Sequence, residues 1–410
     1  MVDSRASSED SGLLEPKSLL YSINARIGGH GLDLNAHEGL KLSYARDFLG
    51  QALAYDNRQK DIPAEKIRSL RWTPVRFLSF LKSPFYYDAK KRYIDKVAAR
   101  ALESGRYDFF HGWENNSLHS LRVAKRKGIP SVLEIPTWHR DKGKIKPRDL
   151  VQISKIEREA KFPETLFKKI LISRQETLEE YDLADLLLVR SECAAKTFTD
   201  VGFPREKLFM HGAAVDLANF PDARSEQPTA YSAARPLRFV YLGALIRRKG
   251  VHVLLEAWQK AALPHATLEL VGSIHDEIKP ALEKFKTDTI RITGFTKNPS
   301  SRLQEADVHV FPSECEGSAK TVCEACGAGL AQITTFESGD VVQSDVNGIL
   351  IPPKNPDALA EALRELYNDP ARVARYQSAA RPRAEQNFTW DHFRQRLAKA
   401  YDLALRKKNP

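Results

Sequence analysis

Glu316 and Glu324 are the residues with the clearest chemical potential. They lie in the run Pro312-Ser313-Glu314-Cys315-Glu316-Gly317-Ser318-Ala319-Lys320-Thr321-Val322-Cys323-Glu324-Ala325. The apolar stretch 308–311 just before it predicts a strand, and the run itself predicts a small-residue turn entering a helix. That sequence of elements makes an anion site, because the first N–H groups of a helix have no partner inside it. Carboxylates beside such a site suit a ligand that carries hydroxyls as well as phosphates, and a nucleotide sugar is such a ligand. Each hydrogen bond from a sugar hydroxyl to a carboxylate contributes about 1.5–3 kcal/mol. Taken singly, Glu324 could equally be a surface residue, and Glu316 a helix-start residue that favours the dipole.

Four further segments fall at expected strand ends. Gly243-Ala244-Leu245-Ile246-Arg247-Arg248-Lys249-Gly250 puts three consecutive cations between a strand and a helix. Such charges neutralise a diphosphate and stabilise a departing one; on their own they also fit a solvated loop. Ile27-Gly28-Gly29-His30-Gly31 lets a backbone approach phosphate or sugar, without the spacing of a dinucleotide fingerprint. His139 follows a buried strand and could donate to a sugar hydroxyl or phosphate. His111-Gly112-Trp113-Glu114 has the same logic with less behind it. The opening run also continues through Thr334-Thr335-Phe336-Glu337-Ser338-Gly339-Asp340.

These segments need a scaffold. Strands are expected at 19–23, 108–111, 131–135, 186–189 and 208–210, then at 237–242, 267–271, 290–293, 308–311, 332–335 and 349–351. Helices are expected between them, for example at 35–49 and 116–127. Alternation of this kind predicts an α/β chain with parallel sheets. Val251, Leu254, Leu255 and Trp258 give one helix a buried face, and Asn355, Pro356 and Asp357 start another. The expected organisation is a loose tail (1–17), a first doubly wound domain (18–220), a linker (221–236), a second doubly wound domain (237–388) and a C-terminal helix (389–410). Ligands of open α/β sheets bind at the carboxyl ends of the strands, so the two domains are expected to face each other across a cleft.

The 410 residues suffice for two domains, and 42% apolar with 28% charged residues is the balance of a globular protein. No apolar run is long enough to span a bilayer, and the first residues do not read as a signal peptide, so a cytoplasmic protein is expected. Cys323 and Cys326 form a CxxC pair, but no second pair or His-x-x-x-His completes a metal site, and inside a predicted helix they read as small core residues. The net charge of +10 favours anionic partners. Between 58 and 100, basic residues interleave with Trp72, Phe77, Phe80, Phe85, Tyr86, Tyr87 and Tyr93. That mixture suits an anionic membrane surface, or equally an amphipathic region with a solvated basic face. No nucleic-acid reader motif accompanies the charge, so no nucleic-acid partner is expected.

From 237 to 401 the chain resembles the GT-B glycosyltransferases of the retaining family 4 type. The resemblance rests on Gly243 with Lys249-Gly250, Leu270-Val271-Gly272, Ile292-Thr293-Gly294-Phe295, Phe311-Pro312-Ser313, Glu316-Gly317, Glu324-Ala325, Asn347-Gly348 and Phe388-Thr389-Trp390. It extends more weakly through Gly28-Gly29, His139 and Val215-Asp216. It implies two Rossmann-like domains and a nucleotide-diphosphate sugar as donor, UDP- or GDP-linked before others, with no cofactor or metal required. Glu324 would take the ribose, Glu316 would orient the donor sugar, and Lys249 with Arg248 would bind the diphosphate. Backbone from Gly317 through Ser318, Ala319, Lys320 and Thr321 would assist, with Phe295 nearby. The first domain would hold a glycan or lipid-linked acceptor, with Gly29 close to the diphosphate and His139 near the donor sugar. The last helix would cross back onto that domain. The family often has arginine where this chain has Ala244, so either a phosphate contact is missing or Arg247 or Arg248 replaces it; the alternative function is a silent nucleotide-sugar-binding protein.

Overall fold

The structure is a computed structural model that describes residues 12–29, 32–81, 83–140, 164–220 and 230–408. Most of the expected tail, His30 and Gly31 of the glycine turn, and 221–229 of the expected linker lie outside the described residues. The chain forms two compact units. One comprises residues up to Val189, Thr197–His211 and the chain from Arg394 on; the other comprises Arg190–Lys196 and Gly212–Phe393.

The first unit is built on seven parallel strands: β1 (Leu19–Ile27), β2 (Leu49–Asn57), β3 (Ile67–Ser69), β4 (Phe109–Trp113), β5 (Ser131–Glu134), β6 (Leu186–Val189) and β7 (Leu208–Met210). Their order is β3-β2-β1-β4-β5-β6-β7. β4, β5 and β6 are buried at every position, as parallel strands covered on both faces must be. The covering helices have clear ends. Gly128 closes helix Leu118–Lys127 at φ 70°, and Ser173 with Glu176 forms a capping box on helix Arg174–Leu183.

The second unit has six parallel strands: β8 (Leu237–Leu242), β9 (Ala266–Val271), β10 (Ile290–Gly294), β11 (Val308–Phe311), β12 (Ala331–Thr335) and β13 (Gly348–Ile351). Their order is β10-β9-β8-β11-β12-β13. Its core gathers Val240, Leu254, Leu270, Val310, Ile333 and Leu363. Asn355 caps helix Pro356–Asn368 through Ala358 N at 2.9 Å, as the sequence led us to expect.

Two expectations are corrected. The helix at 35–49 is Leu32–Ala45; the chain turns at Asp47 (φ 58°), and residues 49–57 are β2, which with β3 was not anticipated. Leu-Gly-Gln-Ala-Leu-Ala has little strand preference of its own, and parallel pairing along β1 overrides it. The change of unit falls at His211–Gly212, ahead of the expected linker. Ala213, Val215 and Phe220 are buried in the second unit's core, and Val215 N donates to Phe388 O at 2.7 Å. Farther on, Arg235 and Arg238 both reach the fully buried Asp307, at 3.2 and 2.9 Å. Burial opposes ionisation of that carboxyl, but the hydrogen bonds from Arg238 and Arg235 outweigh it and hold it below its ordinary range.

A buried polar chain ties helix Trp390–Lys408 into the first unit. Tyr401 OH lies 2.8 Å from His111 Nδ1, and Glu134 lies 3.7 Å from His111 and 2.6 Å from His211. Burial pushes His111 down to about 4; Glu134 opposes the shift and His211 adds to it. An imidazole that is harder to protonate folded than unfolded lends stability above its unfolded pKa, near 6.5, and loses it as pH falls toward 4. Acidification from pH 7 to 4.5 is expected to remove up to about 3 kcal/mol. His111→Gln should flatten the dependence of the urea midpoint on pH, and an unchanged slope would contradict this account.

Candidate functional site

In the second sheet β8 and β11 are neighbours at the point where strand order reverses. In open α/β sheets the carboxyl edge at that point is where ligands bind. The loops leaving these two strands are the basic run 243–250 and the carboxylate run 312–319, so the fold brings the two together. Their contact is tight. Gly250 adopts φ +74°, and a Cβ there would lie 1.9 Å from Pro312 O, so only glycine allows the approach. Glu314 N donates to Arg248 O at 2.9 Å.

The side chains then meet. Arg248 Nη1 donates to Cys315 O and, at 3.0 Å, to Glu316 Oε1. Lys249 Nζ lies 3.4 Å from the same oxygen and 5.1 Å from the Phe311 ring centroid. Arg247 points outward, its side chain exposed, while its amide is taken by Glu277 at 3.0 Å. Of the three cations, two therefore face the carboxylate loop. At Ala244, where the sequence offers no cation, the carbonyl accepts from Tyr241 OH at 2.9 Å.

The carboxylate loop is fixed from behind. Thr335 Oγ1 donates to Ser313 O at 2.6 Å, Ser338 Oγ to Phe311 O at 3.2 Å and Ser191 Oγ to Gly317 O at 2.5 Å. Glu316 N donates to Glu337 O at 3.0 Å and Ala319 N to Ser338 O at 2.8 Å. Helix Lys320–Gly327 begins at Ala319 without a side-chain cap. The Ala319 amide is thus spent, whereas those of Gly317, Ser318, Lys320 and Thr321 have no acceptor among the described residues. The open amides at this helix start are an anion-binding feature.

Glu324 lies one turn into that helix, with its side chain 16% exposed and 3.0 Å from Lys320 Nζ. The i, i+4 spacing of Lys320 and Glu324 is the sequence signal for this side-chain pair, which the expected role of Lys320 as an amide donor leaves out. Glu337, two residues after β12, is a neighbour of the site that the sequence does not single out. Its Oε2 is buried with no hydrogen-bond partner among the described residues, as is Thr321 Oγ1. Burial raises the Glu337 carboxyl above its ordinary pKa. Phe295, after β10, holds its ring 77% exposed. Cys323 and Cys326 are fully buried, and burial pushes the Cys326 thiol up to about 12, so both are inert core residues.

Gly29 and His139 belong to the first unit. Gly28 and Gly29 follow β1 and pack closely. A Cβ on Gly28 (φ +85°) would lie 2.7 Å from Gln59 N, and one on Gly29 2.3 Å from Asp33 Oδ2. His139 is 4% exposed, with its ring 4.7 Å from Phe198 and 5.2 Å from Tyr181. Burial and then Arg174 push it down to about 4, with Asp182 opposing, so it is neutral at ordinary pH. Strand-end position suggested an open imidazole; the aromatic neighbours that enclose it lie far along the sequence and gave no local signal.

Residues 236–369 match the model of the family described as Glycosyl transferases group 1. WcaL of Escherichia coli K12, a glycosyltransferase by name, is 27% identical over 259 residues, which are 57% of this chain and 62% of that protein. O-antigen chain mannosyltransferase C of Escherichia coli is 29% identical over 178 residues, 42% of this chain and 48% of that protein. The chain therefore spans less than two thirds of the length of these curated relatives. A sucrose-phosphate synthase from Thermosynechococcus elongatus superposes with a TM-score of 0.65 at 17% identity, covering 94% of this chain and 98% of that one. Anabaena HepE in complex with UDP superposes with a TM-score of 0.63 at 17% identity, covering 93% and 99%. At such identities the likeness establishes the fold alone, which is GT-B: two Rossmann-like α/β halves.

Proposed function

We propose that this chain, whose residues 236–369 match the model of the glycosyl transferases group 1 family, moves a sugar from a nucleotide-diphosphate donor to a glycan or lipid-linked acceptor. The observation that carries the reading is one edge of the second sheet, where open helix-start amides, Arg248 and Lys249 lie beside Glu316 and Glu324. Glu324 accepts from the ribose hydroxyls, with UDP or GDP as the nucleotide. The diphosphate takes the amides of Gly317, Ser318, Lys320 and Thr321 and the two cations. Glu316, held by those cations, stands beside the donor sugar and orients it.

Chemistry follows from charge. The bond between the anomeric carbon and the β-phosphate oxygen breaks, leaving an oxocarbenium-like sugar and a diphosphate. Arg248, Lys249 and the amides stabilise the second, which is the work a metal ion would otherwise do. The acceptor hydroxyl attacks from the face the diphosphate leaves, its proton passes to the departing phosphate oxygen, and configuration is retained. In this reading the first unit serves the acceptor. No helix of the described residues is long and apolar enough to cross a membrane. Exposed Trp72, Phe77 and Phe80, at 75, 83 and 63%, among basic side chains suit contact with an anionic membrane surface on the cytoplasmic side.

The experiment is release of nucleoside diphosphate from a panel of UDP-, GDP- and ADP-sugars, with and without glycan and lipid-linked acceptors. One donor series is expected to turn over, faster with acceptor. Tight binding with no turnover across the panel would instead make the chain a silent nucleotide-sugar binder.

A further inference from the structure

The carboxyl edge of the first sheet holds an excess of positive charge that the donor chemistry leaves unused. Tyr55 stands near the end of β2, and Arg71 follows β3 by two residues. Tyr86, Lys90 and Tyr93 lie at i, i+4 and i+7 on helix Ser83–Glu103, so they share one face. Arg76 comes from the short turn Pro74–Leu78. Together these six side chains line one small pocket.

We propose that this pocket, through Arg71, Arg76 and Lys90, binds a phosphoryl group carried by the acceptor. The inference rests on reading the first unit as the acceptor's, and it adds the chemical class that acceptor must have. Lys90 Nζ lies 4.2 Å from the Tyr55 ring centroid, 4.9 Å from that of Tyr86 and 5.0 Å from that of Tyr87. Among the described residues no carboxylate pairs with Lys90 or Arg76. Asp56 is 3.7 Å from Arg71, but it also serves Arg26 at 3.1 Å and Arg58 at 3.5 Å. One carboxylate thus faces three arginines, while Lys90 and Arg76 are left to tyrosines and an indole. Burial lowers the Lys90 pKa, Tyr55 opposes that and Arg26 adds to it, as expected of an ammonium awaiting an anion.

The geometry of the donors fits phosphate. The Arg76 guanidinium is 4.5 Å and that of Arg71 5.5 Å from the Trp72 ring centroid. A guanidinium held over an aromatic ring by cation–π attraction still has N–H groups to offer the oxygens of a tetrahedral anion. The pocket has room for about one water-sized group, about 10 Å³. One phosphoryl oxygen can enter beside Lys90 while the arginines hold the others at the mouth. Either a lipid-linked or a soluble phosphorylated glycan could present such a group.

Trp72 reports the event, because an anion that draws Arg76 off its ring changes the indole fluorescence. The full chain is titrated with inorganic phosphate, and the Trp72 signal is isolated by difference against Trp72→Phe. Phosphatidylglycerol and phosphatidylcholine vesicles form a parallel arm, which also tests the membrane contact proposed above. A saturable Trp72 signal is expected, weakened at least about tenfold in Lys90→Met and in Arg76→Met, and retained in Lys249→Ala, whose cation lies in the other unit. Arg76 is exposed, so its variant stays informative if Lys90→Met fails to fold. Response to soluble phosphate assigns a soluble acceptor group. A Lys90-dependent response to anionic vesicles alone assigns a lipid-borne one, and both support the pocket. No Trp72-dependent signal in either arm, or signals of equal strength in wild type and both variants, overturns it. UDP and GDP binding measured on the same samples separates this failure from failure of the donor site.

Discussion

Replacing Glu324 with alanine is expected to weaken binding of the nucleoside diphosphate about 10- to 100-fold, since two hydroxyl-to-carboxylate bonds at about 1.5–3 kcal/mol are lost and water recovers part of the difference. The helix should survive the change. Its buried side consists of Val322, Cys323, Ala325, Cys326 and Gly327, and among the described residues the Glu324 side chain pairs with the half-exposed Lys320, an ion pair that contributes little to stability. A fall in affinity with an unchanged melting temperature is therefore the expected signature. Glu324→Gln keeps the shape and part of the acceptor capacity, so it should fall between wild type and alanine. Equal affinity in all three proteins would remove the ribose role.

Lys249→Ala is expected to act on rate. Negative charge grows on the diphosphate as the sugar departs, and a cation aimed at that charge contributes more in the transition state than in the ground state. The expected loss is about 100- to 1,000-fold in kcat, or about 3–4 kcal/mol, with little change in KM for the donor. Lys249 is the better choice than Arg248 for this test. Arg248 also donates to Cys315 O, and its own carbonyl accepts from Glu314 N, so the loop depends on it. Among the described residues the Lys249 ammonium pairs with the Glu316 carboxylate and lies over the Phe311 ring. Single-turnover kinetics at saturating donor checks the assignment: a raised KM with kcat preserved would place Lys249 in ground-state binding instead.

The sequence exposed most of the scaffold of the second unit because its strands are short, continuous apolar runs. Residues 237–242 and 308–311 coincide with β8 and β11. It exposed the pairing of the two chemical loops only indirectly. Strand order, with β8 beside β11, is a tertiary fact that no local pattern in either segment contains. β2 went unseen because its composition does not favour a strand and β1 had to supply the partner. The boundary at His211–Gly212 was displaced because proline and serine mark a loop, whereas unit membership is decided by where Val215 and Phe220 are buried. The enclosure of His139 by Tyr181 and Phe198 was hidden for the same reason, since those contacts join residues some 40 to 60 positions apart. The Lys320–Glu324 pair is legible in the sequence from its i, i+4 spacing alone.

The central claim is that the start of helix Lys320–Gly327, with Glu324 behind it and Arg248 and Lys249 opposite, is a nucleotide-diphosphate site. Calorimetric titration of wild type and Glu324→Ala with UDP, GDP and ADP tests it most directly. One nucleotide is expected to bind wild type with a 1:1 stoichiometry and to bind the variant about 10- to 100-fold more weakly. Absence of binding by all three nucleotides to a folded wild-type chain, or identical affinities in the two proteins, would contradict it.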